Sequence, residues 1–439
     1  MKVMKFGGTS VGSAQRMKDV SLLINDGDKK IVVLSAMSGT TNSLVEIADY
    51  YYKQNPEGAN DIINQLQAKY AAHVEELYTT DKYKEETMTL LVDRFNYLRS
   101  FYKKEFTELE EKDILSQGEI MSTNMVTNYL KECGIKVTLL NALDYMKTNA
   151  YGEPDLHYIK EHLSELLNQN EDSIIYITQG FICLNENGEI DNLQRGGSDY
   201  TASLIGASIQ ADEIQIWTDI DGMHNNDPRI VDQTSPVRQL NFEEAAELAY
   251  FGAKILHPTC VQPAKFSGVP VRLLNTMDPT APGTIINNDL QEERIKAVAA
   301  KENITAIKIV SSRMLLATGF LRKVFEIFET YNTSIDMVVT SEVGVSMSID
   351  NRTYLGEIIT ELKQYGTVEV DYDMCIICVV GDLRWNNIGY ETIATEAMKN
   401  IPVRIISYGG SDHNISFLIK ETDKKRALQA LSDTLFKNK

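Results

Sequence analysis

The run VMKFGGTS at residues 3–10 decides the expected fold, because a short apolar strand meets a glycine pair and then the start of a helix. Glycine lets backbone N–H groups approach an anion closely, and the helix N-terminus and Lys5 add positive potential. The run is not a P-loop, since the lysine precedes the glycines. By itself the run fits either a phosphate-binding turn at Gly7 and Gly8 or a plain tight turn.

The first 290 residues continue this alternation of short apolar runs with helical stretches. Runs rich in Val and Ile predict buried strands at residues 3–6, 31–36, 137–140, 174–178, 214–219 and 269–274. Strands that alternate with helices favour a mainly parallel sheet covered on both faces, which makes a three-layer α/β domain. Ligands bind beyond the carboxyl ends of strands in such sheets. We therefore expect the chemistry of residues 1–290 to lie just after these strands.

Residues 44–112 interrupt the alternation with a predicted helical insertion. Apolar residues recur there at helical spacing, at Ile62, Leu66, Tyr70, Val74 and Leu77 and again from Leu91 to Leu109. We interpret the insertion as a packing surface rather than a source of catalytic residues.

The C-terminal part contains a repeat at an offset of 68 residues, which aligns YNTSID at 331–336 with KNIPVR at 399–404. Each copy follows a predicted strand and helix and precedes two further strands. A duplicated β-α-β-β unit favours paired small ligand-binding domains, here at 304–374 and 375–439. The polar stretch near 287–293 is the expected boundary with the first domain.

Composition narrows the class of protein. The 43 Lys and Arg against 62 Asp and Glu give a net charge of −19, which disfavours non-specific binding to nucleic acid or to an anionic membrane surface. No apolar run approaches the roughly 20 residues of a membrane span.

The five scattered cysteines fit a reducing cytoplasm. Cys375 and Cys378 lie in a predicted strand and point to opposite faces, so we expect no tightly bound metal there.

A second candidate segment is LQRGGSDYT at residues 193–201. Arg195 can clamp a carboxylate with its planar guanidinium, and the two glycines with the helix start can hold phosphate oxygens. Asp199 beside such an anion site makes sense if it orients a lysine or a metal ion. The alternative is that Ser198 or Asp199 is a simple helix cap.

Further candidates follow other strands. Asp219 is placed for a ribose or adenine contact, and Arg229 for phosphate. Lys254 is either another nucleotide contact or an ordinary surface lysine. Glu119 is suited to bind an ammonium group, or else is a carboxylate in the first turn of a helix.

Together these motifs resemble the aspartokinases of the amino-acid-kinase family. The matching runs are KFGGTSV at 5–11, LSAMSGTTN at 34–42, SQGEIMST at 116–123, RGGSDYTA at 195–202, WTDIDG and NDPR within 217–229, and FGAKILHP at 251–258. The C-terminal repeat is similar to the family's pair of ferredoxin-like βαββαβ ACT domains. The runs at 314–321 and 333–346 are most similar to the monofunctional, lysine-inhibited branch.

The resemblance implies an ATP:L-aspartate 4-phosphotransferase, which acts at the first step toward lysine, threonine and methionine, with Mg²⁺ carried by ATP. It implies catalytic roles for Lys5, which stabilises the transferring phosphoryl group, and Asp199, which organises Lys5. The implied substrate-binding residues are Thr41, Glu119, Arg195, Gly196, Gly197 and Ser198. The implied nucleotide-binding residues are Lys5, Gly7, Gly8, Ser10, Thr218, Asp219, His224, Arg229 and Lys254.

The resemblance also implies feedback inhibition by L-lysine at the ACT domains, with Asp336 pairing with the effector's ammonium. The implied effector residues are Met314, Ala317, Phe320, Leu321, Ser334, Ile335, Asp336, Thr340, Ser341 and Glu342. Ordinary core and turn roles are the alternative for these residues. The family's architecture further implies a homodimer or higher homo-oligomer and a strand from 295–301 that joins the second ACT domain.

Two other functions remain open at this point. A kinase for another amino-acid carboxylate would use the same fold, but the paired repeat and RGGSDYTA argue against it. An amino-acid sensor with a weak kinase half is disfavoured by intact Lys5, Arg195 and Asp199.

Overall fold

The computed structural model describes residues 1–103, 105–193, 196–252, 258–289, 294–312, 314 and 318–437. The chain forms two compact units, Met1–Met223 with Ile255–Asn288, and His224–Lys254 with Asp289–Lys439. The second unit thus includes residues 224–254, which the sequence placed in the first domain. The domain boundaries at 290 and 374 stay predictions.

The described residues form strands and helices with the following bounds. The strands are β1 Lys2–Phe6, β2 Lys30–Leu34, β3 Val137–Leu140, β4 Ile175–Gln179, β5 Ile182–Leu184, β6 Ile190–Asn192, β7 Ile214–Thr218, β8 Gln239–Asn241, β9 Val271–Asn275, β10 Thr284–Asn287, β11 Ile295–Val310, β12 Met337–Thr340, β13 Gly344–Ile349, β14 Thr367–Gly381, β15 Val403–Tyr408 and β16 Asn414–Lys420. The helices are α1 Ala14–Ile24, α2 Thr40–Tyr52, α3 Pro56–Leu77, α4 Asp81–Ser100, α5 Glu108–Glu132, α6 Leu156–Gln169, α7 Gly197–Ile209, α8 Phe242–Tyr250, α9 Pro258–Ser267, α10 Phe320–Thr330, α11 Leu355–Leu362, α12 Tyr390–Ala397 and α13 Lys424–Leu435.

In the first unit the strands lie in the order β3-β4-β2-β1-β7-β9-β10. All neighbours are parallel except β9 and β10, which confirms the predicted mainly parallel sheet. Every residue of β2 is buried, as expected for a central strand covered on both faces. The register aligns Phe6 with Leu34 and Leu34 with Gln179, so the carboxyl ends of these three strands meet at one edge.

The predicted helical insertion consists of α2, α3, α4 and the beginning of α5. One face of α3 is buried, at Ile63, Leu66, Tyr70, Val74 and Leu77. The apolar pattern from Leu91 to Leu109 spans two helices rather than one, because α4 ends at Ser100 and α5 begins at Glu108. Thr107 separates them, since Thr107 and Glu110 form a capping box at the start of α5.

The second unit contains a six-stranded antiparallel sheet in the order β12-β13-β11-β14-β16-β15. Both repeats show the predicted strand-helix-strand-strand order, with α10 in the first and α12 in the second. Two long strands, β11 and β14, run through both repeats and pair over most of their length. The strand expected at 295–301 is the first half of β11, where Lys301 lies opposite Ile376. Separate hydrophobic clusters lie under the two repeats.

Within the described ranges, the protein has no helix of the length and apolar character that crossing a membrane requires.

Candidate active site

The carboxyl edge of the parallel sheet brings three loops into contact. Ser38 N donates to Gly8 O at 3.1 Å, and Gly180 N donates to Leu34 O at 3.0 Å. A Cβ atom on Gly8 would lie 2.7 Å from Ala36 O, so only glycine permits this approach of the two loops. The glycine turn after β1 is therefore packed directly against the hydroxyl-rich loop after β2.

Lys5 and Asp199 meet at this edge. Lys5 Nζ lies 2.7 Å from Asp199 Oδ1, and the two side chains are 12% and 15% exposed. Asp199 stands in the first turn of α7, after Gly196, which caps that helix with a φ of 79°. The position of a Cβ on Gly7 lies 3.5 Å from Lys5 Nζ, so the ammonium is next to the glycine turn. The pairing that the sequence predicted between Lys5 and Asp199 is present.

The start of α7 is fixed by the turn after β4, which the sequence did not single out. A Cβ on Gly197 would lie 2.4 Å from Phe181 Cδ2, and a Cβ on Gly180 would lie 2.5 Å from Ser198 Oγ. Phe181 has a φ of 70°, and its N–H donates to Thr201 Oγ1 at 3.0 Å. The Gly-Phe pair after a buried strand was the sequence signal for this contact.

Glu119 is a buried carboxylate in the middle of α5. It is 5% exposed, and its Oε1 accepts a hydrogen bond from Ala36 N at 3.1 Å. Burial raises the pKa of Glu119 to about 8, while the Ala36 hydrogen bond opposes part of that rise. No lysine or arginine of the described ranges forms an ion pair with it.

This placement decides between the two interpretations of Glu119. The first-turn interpretation was wrong, because α5 begins eleven residues earlier at Glu108. A buried carboxylate at a loop junction, with no ion-pair partner among the described residues, is instead suited to receive a positively charged ligand group.

The hydroxyl candidates differ in their surroundings. Thr41 is exposed at the start of α2, while the neighbouring Thr40 is buried and shares a hydrogen bond of 3.0 Å with Tyr70 OH. Ser10 is buried and lies 2.8 Å from Thr276 Oγ1. Thr276 Oγ1 itself donates to Thr218 O at 3.0 Å. The turn after β1 is thereby joined to the end of β7 through Thr276, a residue that the sequence analysis did not name.

The remaining nucleotide candidates are distributed over both units. Thr218 Oγ1 donates to the exposed Asp219 Oδ1 at 3.1 Å in the first unit. In the second unit, His224 Nδ1 lies 2.9 Å from Thr234 Oγ1. The Arg229 guanidinium binds both oxygens of Asp227, at 2.9 and 2.8 Å, and lowers the pKa of that carboxyl group. Their roles toward a nucleotide stay predictions.

Three predicted residues, Arg195, Lys254 and Ala317, lie outside the described residues. The other effector candidates lie within the first repeat. Phe320 is buried at the start of α10, and Met314 and Ile335 pack against the same hydrophobic cluster. Leu321, Ser334, Thr340, Ser341 and Glu342 are exposed.

Asp336 differs from these neighbours, since its carboxylate is buried and already hydrogen-bonded. Lys301 Nζ lies 2.6 Å from Asp336 Oδ1, and Tyr250 OH donates to the same oxygen at 2.6 Å.

Cys375 and Cys378 lie in β14, in the strand where the sequence placed them, and both are buried free thiols. Burial raises the pKa of Cys375 to about 12 and that of Cys378 further. In the part of the chain that the structure describes, no three His, Cys, Asp or Glu side chains are grouped to hold a metal ion.

Comparison with known proteins agrees with this architecture. The model of the amino acid kinase family matches residues 1–275, and an ACT domain model matches residues 377–435. Aspartokinase 1, chloroplastic, of Arabidopsis thaliana is 34% identical over 99% of this chain and 80% of its own length. Lysine-sensitive aspartokinase 3 of Escherichia coli is 32% identical over 99% of both chains.

Solved structures show the same similarity in three dimensions. The crystal structure of E. coli aspartokinase III with aspartate and ADP, in its R-state, matches 100% of both chains with a TM-score of 0.85 and 32% identity. The structure of the same enzyme with lysine and aspartate, in its T-state, matches 100% of both chains with a TM-score of 0.81 and 32% identity. Since the family model covers more than half of the chain and both relatives are more than 30% identical over at least 80% of their own lengths, the chain belongs to the amino acid kinase family and, within it, to the aspartokinases.

Proposed function

We propose that the chain transfers the γ-phosphoryl group of MgATP to the β-carboxylate of L-aspartate and forms 4-phospho-L-aspartate, the first step toward lysine, threonine and methionine. The observation that carries this proposal is the Lys5–Asp199 pair, held 2.7 Å apart beside the glycine turn. A relative that is 32% identical over its whole length binds aspartate and ADP, which supports the same pair of ligands here.

Positioning and charge neutralisation supply most of the catalysis. The aspartate β-carboxylate is already ionised at neutral pH and attacks phosphorus without a general base. The new bond joins a carboxylate oxygen to the γ-phosphorus, and the bond from that phosphorus to the β,γ-bridging oxygen breaks, so that ADP leaves. Lys5 neutralises the charge on the phosphoryl oxygens, and Asp199 keeps the Lys5 ammonium in place.

Substrate selection depends on two opposite charges. Glu119 binds the ammonium group of aspartate, which supplies a cation that the described residues do not provide to this buried carboxylate. Arg195 clamps the α-carboxylate, while Gly196, Gly197, Ser198 and Thr41 line the space around the side chain. A substrate without an α-ammonium would leave Glu119 unpaired, which explains a preference for an amino acid.

The nucleotide lies along the glycine turn. Gly7 and Gly8 present backbone N–H groups to the phosphates, and the N-terminus of α7 adds positive potential. Ser10 acts by holding the turn through Thr276. Thr218, Asp219, His224, Arg229 and Lys254 contact the rest of the nucleotide, and Mg²⁺ enters as part of MgATP.

Regulation belongs to the second unit. L-lysine binds in the first repeat at the effector residues named above and inhibits turnover. The E. coli relative that matches over its full length is named lysine-sensitive. The T-state crystal structure of E. coli aspartokinase III holds lysine, which supports this assignment.

We also propose a homodimer through the ACT domains, in the cytoplasm. Val338 and Val339 on β12 and Ile406 on β15 are apolar and exposed on the two outer strands of the antiparallel sheet, which supports pairing there. Sedimentation equilibrium tests the assembly: a dimer that Val338→Lys converts to a monomer supports it, and a wild-type monomer contradicts it.

Turnover with L-aspartate, measured by hydroxamate trapping of the acyl phosphate, tests the function. Aspartate-dependent turnover that L-lysine suppresses supports the whole proposal. Turnover that ignores lysine retains the kinase and removes the effector assignment. Lysine binding without turnover would favour an amino-acid sensor instead.

A further inference from the structure

The helical insertion contacts the loop after β2 through two side chains of α3. Lys69 Nζ donates to Ser38 O at 2.7 Å, and the Tyr70 hydroxyl shares a hydrogen bond of 3.0 Å with Thr40 Oγ1. Residues 35–42, which follow β2 and include the first turn of α2, are called the β2–α2 loop below. Two consecutive residues of the insertion thus hold this loop at points two residues apart.

The tyrosine contact is enclosed in the core. Tyr70 and Thr40 are both 0% exposed, and the Tyr70 ring meets Phe95 of α4 edge-on, with ring centres 5.8 Å apart. Burial raises the pKa of Tyr70, the Thr40 hydrogen bond opposes part of that rise, and the Glu119 carboxylate adds to it, so the hydroxyl remains neutral. Loss of this hydroxyl would remove the hydrogen-bond partner of a buried Thr40 oxygen, which is unfavourable.

The lysine contact holds the main chain of the loop. The acceptor of the Lys69 ammonium is the backbone carbonyl of Ser38, and hydrogen bonds from charged donors are stronger than neutral ones. The position of a Cβ on Gly39 lies 3.7 Å from Lys69 Nζ, and Gly39 has a φ of 81° as the residue that caps α2. The ammonium therefore lies against the left-handed turn at which the loop enters α2.

Helix α5 contacts the same loop with the residues around the predicted ammonium site. Glu119 Oε1 accepts from Ala36 N at 3.1 Å, and Ser122 Oγ donates to Ser35 O at 2.9 Å. A Cβ on Gly118 would lie 2.8 Å from the Ala36 Cβ, so α5 and the loop are in close contact. The carboxylate of Glu119 is thus hydrogen-bonded to the loop that α3 holds.

We propose that α3 positions the aspartate side of the catalytic site, with Lys69 and Tyr70 as positioning residues that act through the β2–α2 loop. While both hold the loop, Ala36 N stays on Glu119 and Thr41 stays in the first turn of α2. The insertion then supplies no group that touches the reactants, but it determines how tightly aspartate is bound. This inference rests on the proposed function, because it identifies what aligns the aspartate contacts named there.

The glycine turn has an anchor that does not involve α3. Ser10 Oγ lies 2.8 Å from Thr276 Oγ1, which joins the turn to the end of β7. The β2–α2 loop contacts the turn through the hydrogen bond from Ser38 N to Gly8 O. Loosening the loop should therefore weaken aspartate binding more than nucleotide binding, which distinguishes positioning from a general loss of stability.

Steady-state kinetics of the full-length chain tests this distinction. Tyr70→Phe and Lys69→Met should each raise the KM for aspartate at least fivefold and leave the KM for ATP within twofold of wild type. Lys69→Arg retains a charged donor near Ser38 O, so it should keep the KM for aspartate within twofold of wild type.

Two matched controls remove similar contacts elsewhere in the insertion. Tyr51→Phe removes a buried hydroxyl that donates to Leu98 O at 2.8 Å, and Lys84→Met removes an ammonium that lies 2.8 Å from Glu75 Oε2. Both should keep the two KM values within twofold of wild type. An aspartate KM within twofold of wild type in both test variants, or an equal rise in the KM for ATP or in the controls, would overturn the inference.

Hydrogen–deuterium exchange of the ligand-free chain gives a second readout that needs no turnover. Peptides covering residues 35–44 should exchange at least threefold faster in Lys69→Met and Tyr70→Phe, and at the wild-type rate in the two controls. Unchanged exchange there would also overturn the inference. Lys69 is only partly buried, so its variant tests the idea even if Tyr70→Phe does not fold. Faster exchange in a chain that does not turn over aspartate would instead contradict the proposed function alone.

Discussion

Lys5 at the centre of the parallel sheet and Asp199 in the first turn of α7 are 194 residues apart in sequence and 2.7 Å apart in space. The ion pair is mostly enclosed, so solvent screens it less than it would a surface pair. The contact fixes a flexible lysine side chain against the glycine turn, where a transferring phosphoryl group would need a fixed positive charge.

Lys5→Met should lower aspartate-dependent turnover by about 10³-fold, the scale on which removal of one transition-state donor acts. The methionine side chain retains much of the lysine volume, so the variant should fold. The assay is hydroxamate formation at saturating aspartate and ATP. Lys2→Met, on the same strand beside the exposed Asp28, is the matched control and should retain wild-type turnover. Loss of less than tenfold in Lys5→Met would remove Lys5 from the catalytic role.

The sequence predicted the sheet well because each strand carries its own signal. Buried parallel strands are short runs of Val and Ile, and the six predicted runs correspond to β1, β2, β3, β4, β7 and β9. The repeat in the second unit was visible for a similar reason, since both copies preserve the same order of apolar segments.

The site was harder to predict because its contacts join distant residues. Nothing local to Thr276 indicates that it bridges Ser10 and Thr218. Glu119 was recognised as a candidate, but its burial depends on the contact of α5 with the loop at Ala36. Lys301 gave no signal at all, because its partners are distant in sequence: Asp336 lies just before β12, Asp350 just after β13, and Tyr250 at the end of α8.

Gly180→Ala should reduce turnover at least tenfold while the chain remains folded. Its added Cβ would lie 2.5 Å from both Cβ and Oγ of Ser198, so the first turn of α7 must shift and carry Asp199 away from Lys5. Turnover and the thermal midpoint measured on one preparation separate the two effects. Gly356→Ala, in α11 with no atom within 4 Å of its Cβ position, is the control and should be neutral or slightly stabilising.

The five cysteines should differ sharply in reactivity. Cys133 is exposed, whereas Cys183, Cys260, Cys375 and Cys378 are buried. Burial raises the pKa of Cys183 to about 12, which further suppresses its thiolate. Titration of the native chain with dithiobis(nitrobenzoate) should reveal a single fast thiol, and Cys133→Ser should remove it. Fast reaction of a second thiol would contradict the burial of the other four, all of which should react in denaturant.

The raised pKa of Glu119 predicts a pH dependence of stability. Between the usual carboxyl pKa of 4.5 and the folded value of about 8, the unfolded chain releases this proton and the folded chain retains it. The folded state thus binds more protons in this window, and the contribution of Glu119 to the free energy of unfolding falls as the pH rises. Denaturant titrations of wild type and Glu119→Gln across this window should show that the variant lacks this part of the decline. Parallel curves would place the Glu119 pKa near its ordinary value.

The same carboxyl group predicts how aspartate binding responds to pH. The ligand's ammonium pairs with the ionised form of Glu119, so below pH 8 binding must first expel a proton. The KM for aspartate should therefore fall as the pH rises from about 6 to 8, by at most tenfold per pH unit, while the KM for ATP changes little.

Glu119→Gln should raise the KM for aspartate at least tenfold and flatten this dependence. The control on the same helix is Glu111→Gln, which should behave as wild type, since the half-buried Glu111 carboxylate only accepts from Tyr52 OH at 2.9 Å. A steep pH dependence that survives in Glu119→Gln would assign the titrating group to another residue and leave the burial of Glu119 without a role in substrate binding.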